Sequence, residues 1–156
     1  MTIDPGKTQS MVQRIVEHHG AVETELVPIL SDVNREFGYV PQEAMQAIGR
    51  FLDIPQSQVF SVASFYDMLS TDPQGEHVVR FCESAPCHVV GGREVWEALQ
   101  QTLGLQSGET SADGKWSLVT TSCLGLCSVG PVIVVDEDVY GNVTPEQVPD
   151  ILARYE

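Results

Sequence analysis

Positive charge is what this sequence has least of. Its 156 residues carry 8 Lys and Arg against 22 Asp and Glu, a formal net charge of −14. Nucleic acid and anionic lipid are bound by clustered cations, so the expectation is a chain with no nucleic-acid partner and no direct membrane insertion. Long apolar runs are missing as well: no window approaches the ~18 consecutive apolar residues of a membrane span. Met1 to Ser10 has neither the basic start nor the apolar stretch of a secretory signal, which points to a cytoplasmic, reducing location. There is no C-x-x-C of a thiol exchanger. A G-x-G-x-x-G after a strand and a P-loop are both absent, and Gly91-Gly92 alone is too little for a nucleotide site.

What the chain does have is apolar pattern. At 42% hydrophobic residues it can build a packed core, as one ordinary domain or two small ones. Met1 to Ser10 is polar with Pro5-Gly6 and reads as a frayed, disordered tail. Val12, Ile15, Val16 and His19 give a helix over 11–19 that stops at Gly20. Leu26, Ile29, Leu30, Val33 and Phe37 recur at helical spacing up to Gly38, with Pro28 in the first turn. Pro41 opens a third helix with Ala44, Ile48 and Phe51 inward. Pro55 opens a fourth with Val59 and Val62 inward. Residues 11–75 thus read as a small helical bundle. His18 and His19 read as helix surface rather than metal ligands. Phe65-Tyr66-Asp67-Met68-Leu69 is an aromatic cluster that could be core or a docking patch, with core the default.

Ser70 to Glu76 is polar and turn-rich and marks a boundary, so a second domain is placed at 76–156. There His77 to Phe81 reads as a strand ending at Cys82. A loop carries Cys87, and a helix follows with Val95, Trp96, Leu99 and Leu103 inward and Gly104 beyond its end. Leu105 to Lys115 reads as a loop. Trp116 to Thr121 is a strand delivering Cys123, Val132 to Val135 a central strand, and Val139-Tyr140 a short edge strand. Thr144, Pro145 and Gln147 are an N-cap, a first-turn proline and a capping-box partner for the last helix, which Pro149 should bend. The order β-α-β-β-(β)-α makes a small sheet with helices packed on it, an α+β chain overall.

All four cysteines fall in this second part, as Cys82-x4-Cys87 and Cys123-x3-Cys127 with 35 residues between the pairs. Both pairs follow strands, so two loops should leave the same end of one sheet and bring four thiols together. Four soft thiolates suit a [2Fe–2S] cluster, two per iron. A structural Zn(Cys)4 site is the alternative, but zinc knuckles favour C-x2-C, and these loops are wider. Disulfides are disfavoured by the reducing location. His88 beside Cys87 raises a mixed Cys/His site, which would need a second His and fewer Cys. Gly125 and Gly130 give the second loop freedom to wrap the site. Arg80 and Arg93 could tune a potential or simply be solvated.

Taken together, Cys82-x4-Cys87, Cys123-Leu-Gly-x-Cys127 and Pro131-Val132 resemble the thioredoxin-like [2Fe–2S] ferredoxin family. Within it they look most like the small NuoE-type subunits of respiratory complex I, NAD-linked hydrogenases and formate dehydrogenases. Leu26-Val-Pro-Ile-Leu30, Phe37-Gly-Tyr-Val-Pro41, Ile54-Pro55, Val62-Ala-Ser-Phe-Tyr66, Gly108-Glu-Thr110 and Asp113-Gly114-Lys115 extend the likeness over residues 11–155. The resemblance implies an N-terminal helical bundle followed by a thioredoxin-like α/β domain. It implies a [2Fe–2S] cluster on Cys82, Cys87, Cys123 and Cys127, and a partner subunit that carries FMN and the NAD(H) site. The expected role is a non-catalytic electron-transfer subunit of an NAD(P)H-dependent oxidoreductase complex. A zinc-stabilised interaction module and a free-standing [2Fe–2S] ferredoxin are the alternatives.

Overall fold

The computed structural model describes residues 5–155. The chain divides into two compact units, residues 1–73 and 74–156, the change falling within the polar Ser70–Glu76 segment. No helix among the described residues is long and apolar enough to cross a membrane.

The first unit is four helices: α1 (Pro5–His18), α2 (Leu26–Phe37), α3 (Gln42–Leu52) and α4 (Gln56–Phe65). The expected tail is therefore helical from Pro5 onward, because Thr8, Val12 and Val16 recur at four-residue spacing and all three are buried. Met1 to Asp4 lie outside the described residues. The stripes Leu26/Ile29/Leu30/Val33 and Ala44/Ala47/Ile48 close with them on one core. Gly38 and Asp53 end α2 and α3 in the left-handed conformation. His19, expected on the helix surface, instead lies between two carboxylates, with Nε2 2.9 Å from Asp32 and Nδ1 3.5 Å from Glu25. The default that places the 65–69 cluster in the core holds only for Leu69, at 8% exposure, whereas Phe65 is 77% and Met68 64% exposed.

The second unit is a five-stranded sheet in the order β2-β3-β1-β4-β5. Its strands are β1 (His77–Cys82), β2 (Glu109–Thr110), β3 (Trp116–Thr121), β4 (Ile133–Val135) and β5 (Asp138–Tyr140). β1 is the centre, parallel to β3 and antiparallel to β4. β2, within the segment expected to be a loop, is a two-residue strand held antiparallel to β3. Cys87 sits not in an open loop but at the end of a one-turn helix, α5 (Ala85–Cys87), and the chain then kinks at Val90 and Gly91, whose dihedrals are not helical, before the next helix begins. α6 (Arg93–Leu103) and α7 (Val148–Leu152) bury Val95, Leu99, Val148, Ile151 and Leu152 against Val79, Phe81, Leu118, Ile133 and Val135. The Thr144 capping box forms, and the final helical stretch is broken into 3-10, α and 3-10 turns around Pro149.

Candidate metal centre

The site follows from strand register. β1 and β3 run parallel with Cys82 opposite Thr121, so both chains leave the sheet at the same end and side by side. The following segments then interlock. The Cys82 amide donates to the Val132 carbonyl at 3.2 Å, and the Glu83 amide to the Thr121 carbonyl at 3.2 Å. The first segment turns at once into α5, with the His88 amide donating to the Ser84 carbonyl at 3.1 Å. This turn folds Cys87 back over Cys82.

Close approach requires a glycine at 92 and leaves little room for a side chain at 130. A Cβ on Gly92 would lie 2.5 Å from the Cys87 carbonyl oxygen and 3.4 Å from the Phe81 ring. A Cβ on Gly130 would lie 3.3 Å from the Cys87 sulfur and 3.1 Å from Val90. Gly130 has an ordinary extended backbone. It therefore matters through the space it leaves beside Cys87 rather than through the freedom the sequence suggested.

The sulfurs come as two pairs. Cys82 and Cys87 are 3.5 Å apart, and Cys123 and Cys127 are 3.5 Å apart. All four thiols are free, since a disulfide would need about 2.05 Å. Two thiolates at ~2.3 Å on one tetrahedral metal ion sit about 3.8 Å apart, so each pair is close to the bite of a single ion. Among the described residues no three or more His, Cys, Asp or Glu side chains converge on one point. The spacing within each pair suits one ion. The pairs differ in environment: Cys82 and Cys87 are 2% and 1% exposed and pack with Val132, whereas Cys123 and Cys127 are exposed.

The electrostatics divide the sulfurs, easing one of each pair toward the thiolate and holding the other back. Burial pushes the Cys82 thiol up, but the Ser84 and Leu124 amides and the Cys87 and Ser84 side chains together outweigh it and leave it below the ordinary thiol range. Cys87 is held up by burial and by its hydrogen bond with Cys82, against the Val132 amide. Cys123 is lowered first by the Gly125 amide, which lies 3.4 Å from its sulfur, and then by Cys127. Cys127 is raised, first by Cys123. Within each pair one sulfur is lowered and its neighbour raised, and metal binding would release the protons they hold. The Leu124 amide reaches Cys82, and the Ser84 side chain reaches both Cys82 and Cys123, so the two loops touch at the sulfurs. Thiolates that accept backbone N–H bonds on small loops fit an anionic iron–sulfur group.

The other candidates lie apart. His88 is exposed and its ring stands 6.4 Å from that of Phe81. Arg93 is 77% exposed and paired with Glu97. Arg80 donates to the backbone oxygen of Asp136 at 3.4 Å. Ser84 carries no signal in the sequence, and Gly92, weighed there only as part of a glycine pair too small for a nucleotide site, matters because of how the first loop coils.

The sequence profile of the thioredoxin-like [2Fe–2S] ferredoxins matches residues 12–156. One of the subunits of the NADH-quinone oxidoreductase of Escherichia coli K12 is 37% identical over 144 residues, covering 92% of this chain and 87% of its own. The HndA component of the NADP-reducing hydrogenase of Solidesulfovibrio fructosivorans is 36% identical, covering 92% and 84%. The crystal structure of an air-oxidised NAD+-reducing [NiFe]-hydrogenase superposes with a TM-score of 0.71 at 17% identity, over 84% of this chain and 22% of that one, and so shares the fold. The profile and the relatives together span nearly the whole sequence, and the chain belongs to the thioredoxin-like [2Fe–2S] ferredoxin family, whose members carry a [2Fe–2S] cluster.

Proposed function

We propose that this chain is an electron-relay subunit in which Cys82 and Cys87 hold one iron of a [2Fe–2S] cluster and Cys123 and Cys127 the other. The observation that carries this reading is the pairing of the four sulfurs, two close pairs at one end of the parallel strands β1 and β3. When bound, such a cluster takes up or releases one electron at a time.

The chain's own residues set the conditions for that exchange. Cys82 and Cys87 are enclosed with Val132, which keeps water from one half of the site. The amides of Ser84, Leu124, Val132 and Gly125 point at sulfur and stabilise negative charge there. Cys123 and Cys127 lie at the surface, the side on which a redox partner can come close.

The relatives are named as subunits of NADH-quinone oxidoreductase and of an NADP-reducing hydrogenase. We therefore place this chain beside a subunit that binds flavin and NAD(H), in the cytoplasm, as a non-catalytic member of an NAD(P)H-dependent oxidoreductase. The test is purification of the tagged full chain from its native cells. A flavin-containing subunit should come with it, and NADH or NADPH should bleach the iron–sulfur absorption. A chain that purifies alone, with its cluster and no flavoprotein, would be a free-standing ferredoxin.

A further inference from the structure

The first unit carries a surface that its own fold does not use. Residues 54–66 contain no Asp, Glu, Lys, Arg or His, in a chain where 19% of residues are Asp, Glu, Lys or Arg. They include all of α4, of which only Val59 and Ala63 are buried. Phe60 is 50% exposed, Phe65 77%, Tyr66 38% and Met68 64%. A solvated helix normally turns charge outward; this one presents two glutamines in its first turn and then serines and phenylalanines.

The serines do not offset that. The Ser61 hydroxyl donates to the Ser57 carbonyl at 2.7 Å and the Ser64 hydroxyl to the Ser61 carbonyl at 3.3 Å. Their hydroxyl hydrogens are committed to the helix itself, so a dry partner can cover this face at little cost in lost donors.

The surface is also held in place. Leu69 is buried in the bundle core and its amide bonds the Tyr66 carbonyl at 2.9 Å. Ser70 accepts from the Val40 amide at 2.7 Å, and its own amide donates to Asn34 at 3.0 Å. The Phe65 and Tyr66 rings stack edge to face at 5.2 Å. Aromatic groups fixed before binding lose little entropy when covered, which is the character of an interface anchor.

We infer that Phe60, Phe65, Tyr66 and Met68 form a docking surface for a partner subunit that offers an apolar slot rimmed by Lys and Arg. Charge selects the occupant. The flanks are acidic: exposed Asp53 before α4, exposed Asp67 after it, and Glu23, which accepts from Gln58 of α4 at 2.7 Å. Arg50, near Asp53 and Gln56, is the opposing cation. A second copy would bring the same acidic flanks and another net charge of −14. The inference rests on the proposed subunit role and assigns it contact residues in the first unit.

The experiment places p-benzoylphenylalanine at position 60 or 65 of the full chain, with position 100 on α6 as control, and irradiates the complex purified from native cells. Peptide mapping then identifies what is joined. The expected result is a cross-link from 60 and 65, and not from 100, to one copurified subunit, at an apolar segment flanked by Lys or Arg. Phe65→Ala with Met68→Ala should keep iron content and weaken association about 30-fold, as loss of central anchors does. Cross-links only to a second copy, to an acidic or uncharged segment, or to nothing while the complex stays intact would overturn the inference and leave the electron-relay reading standing. Absence of any partner subunit would overturn both.

Discussion

Gly92→Ala is the substitution to which the site should be most sensitive outside its cysteines. The added Cβ meets the Cys87 carbonyl oxygen at 2.5 Å and its carbon at 2.9 Å. To reach 3.0 Å, below which real Cβ contacts essentially do not occur, the carbonyl must retreat by about 0.5 Å. It cannot be cleared by a rotamer change, because both colliding atoms are backbone in the turn that positions Cys87. The Phe81 ring, 1% exposed in the core, blocks movement on another side at 3.4 Å. Overpacking of this kind costs about 1–3 kcal/mol, and a backbone collision belongs at the upper end. For a unit of this size that lowers the melting temperature of the second unit by roughly 10–20 °C. Because the strain falls on the Cys87 carbonyl, the 3.5 Å approach of Cys87 to Cys82 should open with it. Calorimetry with iron analysis on the same sample reads both effects. Gly104→Ala is the control: its φ is +67° but nothing lies within 4 Å of its Cβ, so it should cost about 1 kcal/mol and leave iron content unchanged. A Gly92→Ala protein with full iron and an unshifted melt would mean that the turn at Cys87 tolerates a side chain at 92.

Three further outcomes follow from the same geometry. Each Cys→Ser change should abolish full iron loading, but only the buried positions should also destabilise the metal-free protein. Cys82→Ser or Cys87→Ser should cost about 1–3 kcal/mol by denaturant melts, against about 0.5 kcal/mol or less for Cys123→Ser or Cys127→Ser. With 22 acidic residues against 8 basic, adding an electron is disfavoured, so the midpoint potential should be negative. Ser84→Ala removes a side-chain hydrogen bond to Cys82 and Cys123 and should lower that potential further by on the order of tens of mV, as read by redox titration. In the first unit the His19 hydrogen bond, opposed by partial burial and aided by Arg35, holds the Asp32 carboxyl below its ordinary 3.8. That depression contributes stability above pH ~4 that is lost as pH falls through the folded value. Thermal melts from pH ~5 to ~2.5 should show the wild type's advantage over Asp32→Asn shrinking across that window.

Much of the architecture was legible because it is local. The stripe Leu26/Ile29/Leu30/Val33, the helix ends at Gly38 and Gly104 and the Thr144–Gln147 capping box are all written within one or two turns of chain, and each formed. The two cysteine pairs followed strands as expected because residues 77–81 and 116–121 are short runs rich in β-branched and aromatic residues. The failures are non-local. β2 is two residues long, too short for any periodicity, and exists because β3 offers it an edge. His19 and Asp32 are 13 residues apart, and only the packing of α1 on α2 joins them. Phe65 and Met68 are as apolar as any core residue, and which side of α4 meets the bundle is decided by Val59 and Ala63. The coiling of the first loop into α5, followed by a kink at Val90 and Gly91, left no mark in the sequence because one turn of helix is too short for any periodicity.

The most direct measurement is metal, sulfide and spin analysis of the purified full chain. Two irons and two acid-labile sulfides per chain are expected, with no zinc, visible absorption when oxidised and a spin-one-half EPR signal when reduced by one electron. One zinc per chain in a colourless, EPR-silent protein would contradict the electron-relay reading.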